Sequence, residues 1–248
     1  MTHHDGDWGI LSTQQDEDQA RAQAVSDPAA YHAAIAAKEL HWYDTGGGQW
    51  ISKPGDDAWQ GWHAASGAEG SADASWAPWS LALDANAAPF YRWFVDGQTN
   101  ACFNLLDRHV LLGRGKNQAL VFEGDRWDPS KNEGRGGPVF EQRLSYRELL
   151  IEVALRARVL ESLDLKAGDR IALNLPNILE QIFYILAAQR LGVIYTPVFG
   201  GFSAKTLSDR IHDAGAKVVI TADGGYRNAE VVPYKSTYTD PALDNYVP

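Results

Sequence analysis

Cysteine is nearly absent: Cys102 stands alone among 248 residues. That excludes an intrachain disulfide framework and any metal site built on a cysteine cluster. A single thiol fits a reducing cytoplasm, and packing is its expected role. Basic residues are also scarce, 22 Lys and Arg against 32 Asp and Glu, giving a net charge of -10 and a pI near 5.1. Such a surface repels phosphates, so neither nucleic acid nor an anionic membrane is an expected partner, and any anionic ligand must meet a local site. Long apolar runs are missing, so no stretch reads as a membrane span. The opening MTHHDGDWGILSTQQDEDQA has neither the basic n-region nor the apolar h-region of a secretory signal. His3 and His4 read as part of a solvated tail rather than as a metal site. A soluble cytoplasmic protein is the default expectation.

With 45% apolar and 22% charged residues, the chain has the composition of a globular protein and the length for a real core. Residues 1 to about 30 are acidic and without sustained apolar periodicity, which reads as an extension. From Tyr31, YHAAIAAKELHWY suits a short Ala-rich helix ended by Gly46, Gly47 and Gly48. Between Trp50 and Trp93 lie Trp59, Trp62, Trp76 and Trp79 among Gly, Pro, Ser and Ala, with no fixed repeat. These could line a sugar- or base-stacking surface, but a long irregular segment that pins itself down by burying large side chains is the stronger reading.

Order appears from residue 118. QALVFEGD has the β-branched and aromatic content of a strand, and a charged, Gly-rich loop from about Arg126 to Arg143 follows. LSYRELLIEVALRARVLESL is a helix announced by a capping box, Ser145 with Glu148, whose buried face is Leu149, Val153, Ala157 and Leu160. Then come the strand RIALNLP, a helix from about Ile178 to Leu191 stopped by Gly192, and the strand VIYTPV. A third helix begins near Ser203, with Leu207, Ile211 and Ala214 on one face, and leads to the strand KVVITAD. This βαβαβ alternation predicts an α/β fold with a parallel sheet covered on both faces. Ligands of such sheets collect at the carboxyl ends of the strands, here Pro176-Asn177, Phe199-Gly200-Gly201 and Asp223-Gly224-Gly225.

The Gly200-Gly201 turn allows close approach of backbone to a phosphate or its linker and feeds a helix N-terminus, although a paired glycine there is also an ordinary tight turn. Arg227, just past the last strand, carries a planar five-donor head suited to phosphate, although a loop arginine is more often a surface ion pair. Gly113-Arg114-Gly115-Lys116 fits no phosphate-loop spacing and precedes a strand. Asp107-Arg108-His109 reads as a structural hydrogen-bonded cluster rather than a triad. The absence of G-x-G-x-x-G after any strand disfavours a dinucleotide oxidoreductase.

Four motifs, in order and spacing, carry a resemblance. WFVDGQTNACFNLLDRH (Trp93 to His109) resembles W-F-x-G-G-x-x-N…N-x-x-D-R-H, and LSYRELLIEV resembles the T-Y-x-E-L helix. KAGDRIALNLPNILE resembles K-x-G-D-x-V-x-x-x-x-P, and AAQRLGVIYTPVFGGFSAKTLSDRIHDAGAKVVITADGG resembles R-x-G-A…V-F-G-G-F-S…R-I…I-T-A-D. Over roughly residues 90 to 240 the chain thus resembles the AMP-forming acetyl-/propionyl-CoA synthetases of the adenylate-forming superfamily.

The resemblance implies an incomplete N-terminal domain of that fold. Its parts are an acidic extension (1–30), a lead segment (31–110) that includes the irregular Trp-rich stretch, and the first part of the AMP-binding α/β domain (111–248). It implies ATP and coenzyme A as cosubstrates, Mg2+, and a short-chain acid: acetate, propionate or 3-hydroxypropionate. Phe199, Gly200 and Gly201 take the position of the CoA-side turn, and Arg227, Asn228, Ala229 and Glu230 that of the R-G/A-G-R/K segment at the CoA nucleotide. Glu230 departs from that pattern, an acid where a base is usual, which weakens attraction to a 3′-phosphate unless another cation compensates.

The Thr/Ser/Gly-rich phosphate loop, the adenine-contacting aromatic motif, the ribose-binding Asp and the catalytic Lys of the family have no counterpart in this sequence. No catalytic and no metal-ligating residue is therefore expected here, and the chain is expected to be inactive without the remainder of the same enzyme. A homo-oligomer stays open, as does a stand-alone CoA-binding or regulatory role. The acidic extension and the long 126–143 loop also suit the ligase module of a multifunctional propionyl-CoA synthase.

Overall fold

The computed structural model describes residues 13–44, 49–50 and 79–244, which fall into two units, one up to Thr99 and one from Asn100.

The first unit opens with α1 (Gln14–Ser26), where the sequence reading gives only an extension. A capping box nucleates it: Thr13 Oγ1 accepts the Asp16 N–H at 3.1 Å and the Asp16 carboxylate accepts the Thr13 N–H at 3.0 Å. Having no apolar stripe, α1 buries no side chain. The next helix, α2 (Pro28–Glu39), starts earlier than the expected Tyr31 because Asp27 caps it through the Ala30 N–H and Pro28 supplies a preset first turn. It also ends sooner, and Gly46–Gly48 lie outside the described residues. Beyond Leu40 the chain doubles back: Trp42 Nε1 donates to the Ala36 carbonyl at 3.1 Å, inside the helix it has just left.

Strands β1 (Tyr43–Asp44) and β2 (Gln49–Trp50) pair antiparallel, as do β3 (Leu81–Asp84) and β4 (Arg92–Val95). Ala36, Trp42 and Trp79 are buried together, with Phe94 tilted against both indoles at 4.9–5.4 Å. Of the tryptophan-rich stretch, Trp79 thus packs rather than presenting a stacking face. Trp93 stays 41% exposed with its edge on His32. Trp59, Trp62 and Trp76, and the side chain of Trp50, are outside the described residues.

The second unit begins with two wide helical turns, Phe103–Asp107 and Val110–Arg114. After them come the antiparallel partners β5 (Gln118–Glu123) and β8 (Glu141–Ser145), and between these the miniature pair β6 (Trp127–Asp128) and β7 (Gly137–Pro138). The segment expected as a loop from Arg126 to Arg143 is thus loop in part, with Trp127–Asp128 paired to Gly137–Pro138 and its last residues paired to β5. Helix α3 (Tyr146–Ser162) carries the expected capping box, and its buried residues are the four predicted, Leu149, Val153, Ala157 and Leu160.

The chain then alternates β9 (Arg170–Asn174), α4 (Leu179–Leu191), β10 (Ile194–Pro197), α5 (Ala204–Ala214) and β11 (Val218–Thr221). Strand order is β10-β9-β11, all parallel, as expected for a βαβαβ unit. Alternation along the central strand assigns the faces. Ile171 and Leu173 pack with residues of α3 and α4 such as Val153 and Phe183, while Ala172 faces Leu207 and Ile211 of α5. Each such fully buried aliphatic side chain contributes about 1.5–3 kcal/mol. Ala214, expected on the buried face of α5, is half-buried at its last turn.

Past β11 the chain makes the hairpin β12 (Gly225–Arg227) and β13 (Glu230–Val232), a wide turn Lys235–Thr239 and the short α6 (Asp240–Asp244). A buried polar link ties that wide turn to the sheet: Asn174 Nδ2 donates to Thr239 Oγ1 at 3.0 Å, and the Thr239 and Thr221 hydroxyls are 2.7 Å apart.

Candidate functional site

Where β9 and β10 end, backbone turns away on either side and leaves a crevice. It is a cleft of about 460 Å³, a size suited to a small molecule. Its floor is Leu175, Asn177 and Gln181 after β9 and in α4; one wall runs from Pro197, the last residue of β10, to Gly201. The other wall is Tyr226, Arg227 and Tyr234, and Asp125 enters from the turn after β5.

Close packing explains the glycines. A Cβ on Gly200 would lie 2.3 Å from the Tyr234 hydroxyl, and one on Gly225 would lie 2.5 Å from the Pro176 ring, so neither position tolerates a side chain without displacement. Phe199 is 67% exposed, meeting Phe202 edge to face at 5.7 Å. Helix α5 offers the cleft less than expected. Ser203 Oγ accepts the Thr206 N–H at 3.2 Å, and no residue of α5 lines the crevice.

Of the residues singled out from sequence, Phe199, Gly200, Gly201 and Arg227 converge on this cleft, whereas Asn228, Ala229 and Glu230 do not line it. Asn228 (φ 52°) and Ala229 (φ 62°) form the two-residue turn of the β12–β13 hairpin, and Glu230 pairs with Arg227 across it. Pro176 backs Gly225 while Asn177 lines the floor; Asp223 and Gly224 stay out of the cleft. Sequence reasoning missed Asp125, Gln181, Tyr226 and Tyr234. No motif marks them, and only the tertiary fold brings residue 125 to residue 226.

Among the described residues Arg227 makes no ion pair, so its guanidinium is available to an anion. Burial raises the Tyr234 pKa, helped by Tyr238 and opposed by Arg227, so the phenol stays protonated. Two contacts brace the hairpin from outside: the Asp125 carboxylate accepts the Ala229 N–H at 2.6 Å, and Arg126 lies over the Tyr226 ring at 5.6 Å.

The remaining candidates carry structure. Asp107 is bound by Arg190, and His109 packs on Tyr146 at 4.7 Å, so Asp107-Arg108-His109 forms no triad. Burial, with the charges of Arg108 and Arg114, lowers the His109 pKa to about 4. Cys102 is fully buried, and burial lifts its thiol to about 11, the state of a packing residue. Gly113 to Lys116 closes the lead-in helical turns away from the cleft. Among the described residues no group of three or more His, Cys, Asp or Glu side chains could hold a metal ion, and no helix is long and apolar enough to cross a membrane.

Comparison with known proteins converges on one group. The family described as AMP-binding enzyme matches residues 126–245, and the one described as acetyl-coenzyme A synthetase N-terminus matches residues 71–105. Acetyl-coenzyme A synthetase of Wolinella succinogenes is 41% identical over 172 residues, 69% of this chain and 24% of that protein. The Mycobacterium tuberculosis enzyme of the same name is 43% identical over 171 residues, 68% of this chain and 24% of its own. The one from Rhodopirellula baltica is 33% identical over 235 residues, 95% of this chain and 29% of its own. The chain thus spans about a quarter of the length of these curated relatives.

Proposed function

We propose, from the premise that the chain belongs to the AMP-binding enzyme family in its AMP-forming acetyl-CoA synthetase branch, that it supplies the CoA-facing part of an acyl-CoA synthetase. In the overall reaction a carboxylate attacks the α-phosphorus of ATP, giving an acyl-adenylate and expelling pyrophosphate. The CoA thiol then attacks the activated carbonyl, loses its proton and expels AMP. The relatives' name, acetyl-coenzyme A synthetase, makes acetate the first acid to test; propionate and 3-hydroxypropionate are the alternatives to be compared with it.

The observation that carries this reading is the convergence of Phe199, Gly200, Gly201 and Arg227 on one cleft at the carboxyl edge of the parallel sheet. The Phe199–Gly201 turn lines the cleft with its backbone, and Arg227, which makes no ion pair among the described residues, offers a fork to a phosphate. Asn177 and Gln181 add amides along the floor. No group among the described residues suits a resident Mg2+ site, so the ion is read as travelling with ATP and enters no step here.

The adenylating groups are assigned to the remainder of the enzyme, so the 248-residue chain alone is expected to bind CoA without catalysing acid-dependent ATP–pyrophosphate exchange. Calorimetric titration with CoA, on the chain and on Arg227→Ala, tests the first half, with a loss of about tenfold in affinity expected for one charge-assisted contact. Binding that ignores Arg227→Ala would overturn the assignment. Exchange activity in the isolated chain would refute the second half.

A further inference from the structure

Asp125 is a carboxylate that lines the same cleft as Arg227, and it is bonded to the tip of the hairpin that carries that arginine. Asp125 Oδ2 accepts the Ala229 N–H at 2.6 Å, the Ala229 backbone is in the left-handed region, and Asp125 lines the same cleft as Arg227. Its neighbour Arg126 meets Tyr226 of the same hairpin. Glu230, directly across the ladder from Arg227, is a second carboxylate near the one cation that lines the cleft among the described residues.

We propose that Asp125 is a positioning and specificity-determining residue of this cleft: it latches the Arg227 hairpin through Ala229, and its negative charge limits the affinity gained from the phosphates of the thiol cosubstrate. The inference rests on the CoA reading given above. The two roles separate chemically. An asparagine still offers a carbonyl oxygen to the Ala229 N–H but carries no charge, whereas alanine removes both. Because Asp125 is exposed, its charge acts through solvent and its effect fades as salt is added.

The test titrates the 248-residue chain, Asp125→Asn and Asp125→Ala with CoA and with pantetheine, which keeps the thiol arm and lacks the phosphates. Hydrogen exchange of the Ala229 amide is followed in parallel without ligand. At low ionic strength Asp125→Asn is expected to tighten CoA about threefold, to leave pantetheine unchanged and to keep Ala229 protected. Asp125→Ala is expected to speed Ala229 exchange at least fivefold and to lose the gain for CoA. An Asp125→Asn variant that binds CoA no better than the parent, or that tightens pantetheine equally, overturns the charge role; unchanged Ala229 exchange in Asp125→Ala overturns the latch. A chain that binds neither thiol refutes the CoA reading together with the charge role, while the exchange measurement still decides the latch.

Discussion

Arg190 Nη2 reaches both oxygens of Asp107, at 2.8 and 2.6 Å, and so ties the wide helical turns of the lead-in segment to the end of α4. Asn100 works beside it, donating through Nδ2 to the carbonyls of Gln189 and Arg190 in the last turn of α4 at 3.0 and 3.1 Å. The two residues are only 29% and 18% exposed at their side chains. Removing one partner leaves a poorly hydrated charge, so Asp107→Ala is expected to lower stability by about 2–3 kcal/mol. Denaturant unfolding of parent and variant measures it, and a change below about 0.5 kcal/mol would contradict the anchoring role.

His109 gives a pH signature. Its folded pKa, about 4, lies below the ordinary value of 6.5, so between these limits the unfolded chain binds more protons than the folded one. The associated stability is therefore complete above pH 6.5 and is lost as pH falls toward 4. The ring is only partly buried, so the loss is discounted to about 1–2 kcal/mol rather than the full equivalent of the shift. His109→Phe, which keeps a ring against Tyr146, should flatten this part of the pH–stability curve.

Ala229 occupies a backbone region that a β-carbon disfavours, with φ 62°. Replacing it by glycine relieves about 1–2 kcal/mol and returns part of that as unfolded-state entropy, so Ala229→Gly should stabilise by about 0.5–1 kcal/mol. Thermal unfolding reads the effect; a lower melting temperature would show that the turn carries no strain.

Gly200→Ala drives a methyl group into the Tyr234 ring and hydroxyl. The ring lines the cleft and must shift, so CoA affinity should fall at least tenfold while far-UV circular dichroism is kept. Adding Tyr234→Leu, which clears the contact, should restore part of the affinity.

At the sheet edge, Thr239→Val keeps shape but strands Asn174 Nδ2, which is 2% exposed as a residue. An unmade bond of that kind costs about 1–3 kcal/mol. The double variant with Asn174→Leu, which removes the stranded donor, should lose less than the sum of the two single changes.

The second unit was legible because its sequence is locally consistent. Ser145 and Glu148 cap α3, Gly192 ends α4 in the left-handed region at φ 70°, and Ser203 starts α5, so three helices fix the intervening strands. Half of the cleft was legible for the same reason, since strand ends in a parallel sheet point to Phe199, Gly200 and Gly201. The hairpin beyond β11 was harder. Asn228-Ala229 lacks the glycine that usually marks such a turn, and the carry-over from the family pattern kept Glu230 with the site although it does not line the cleft. In the first unit, α1 escaped notice because its only signal is the Thr13–Asp16 cap without an apolar stripe, and Trp42 leaves α2 early to pack back on Ala36.

The bond from Asp125 to Ala229 joins residues 104 positions apart, and this separation governs when the cleft can exist. Its other walls close over shorter loops, around the strand–helix–strand turns, whose entropic cost is met early. The 125–229 closure is expected to follow the alignment of β9, β10 and β11, which would make the cleft a late product of folding. A chain stalled with a native-like helical spectrum should therefore show no CoA binding, and recovery of binding during refolding should lag recovery of helix.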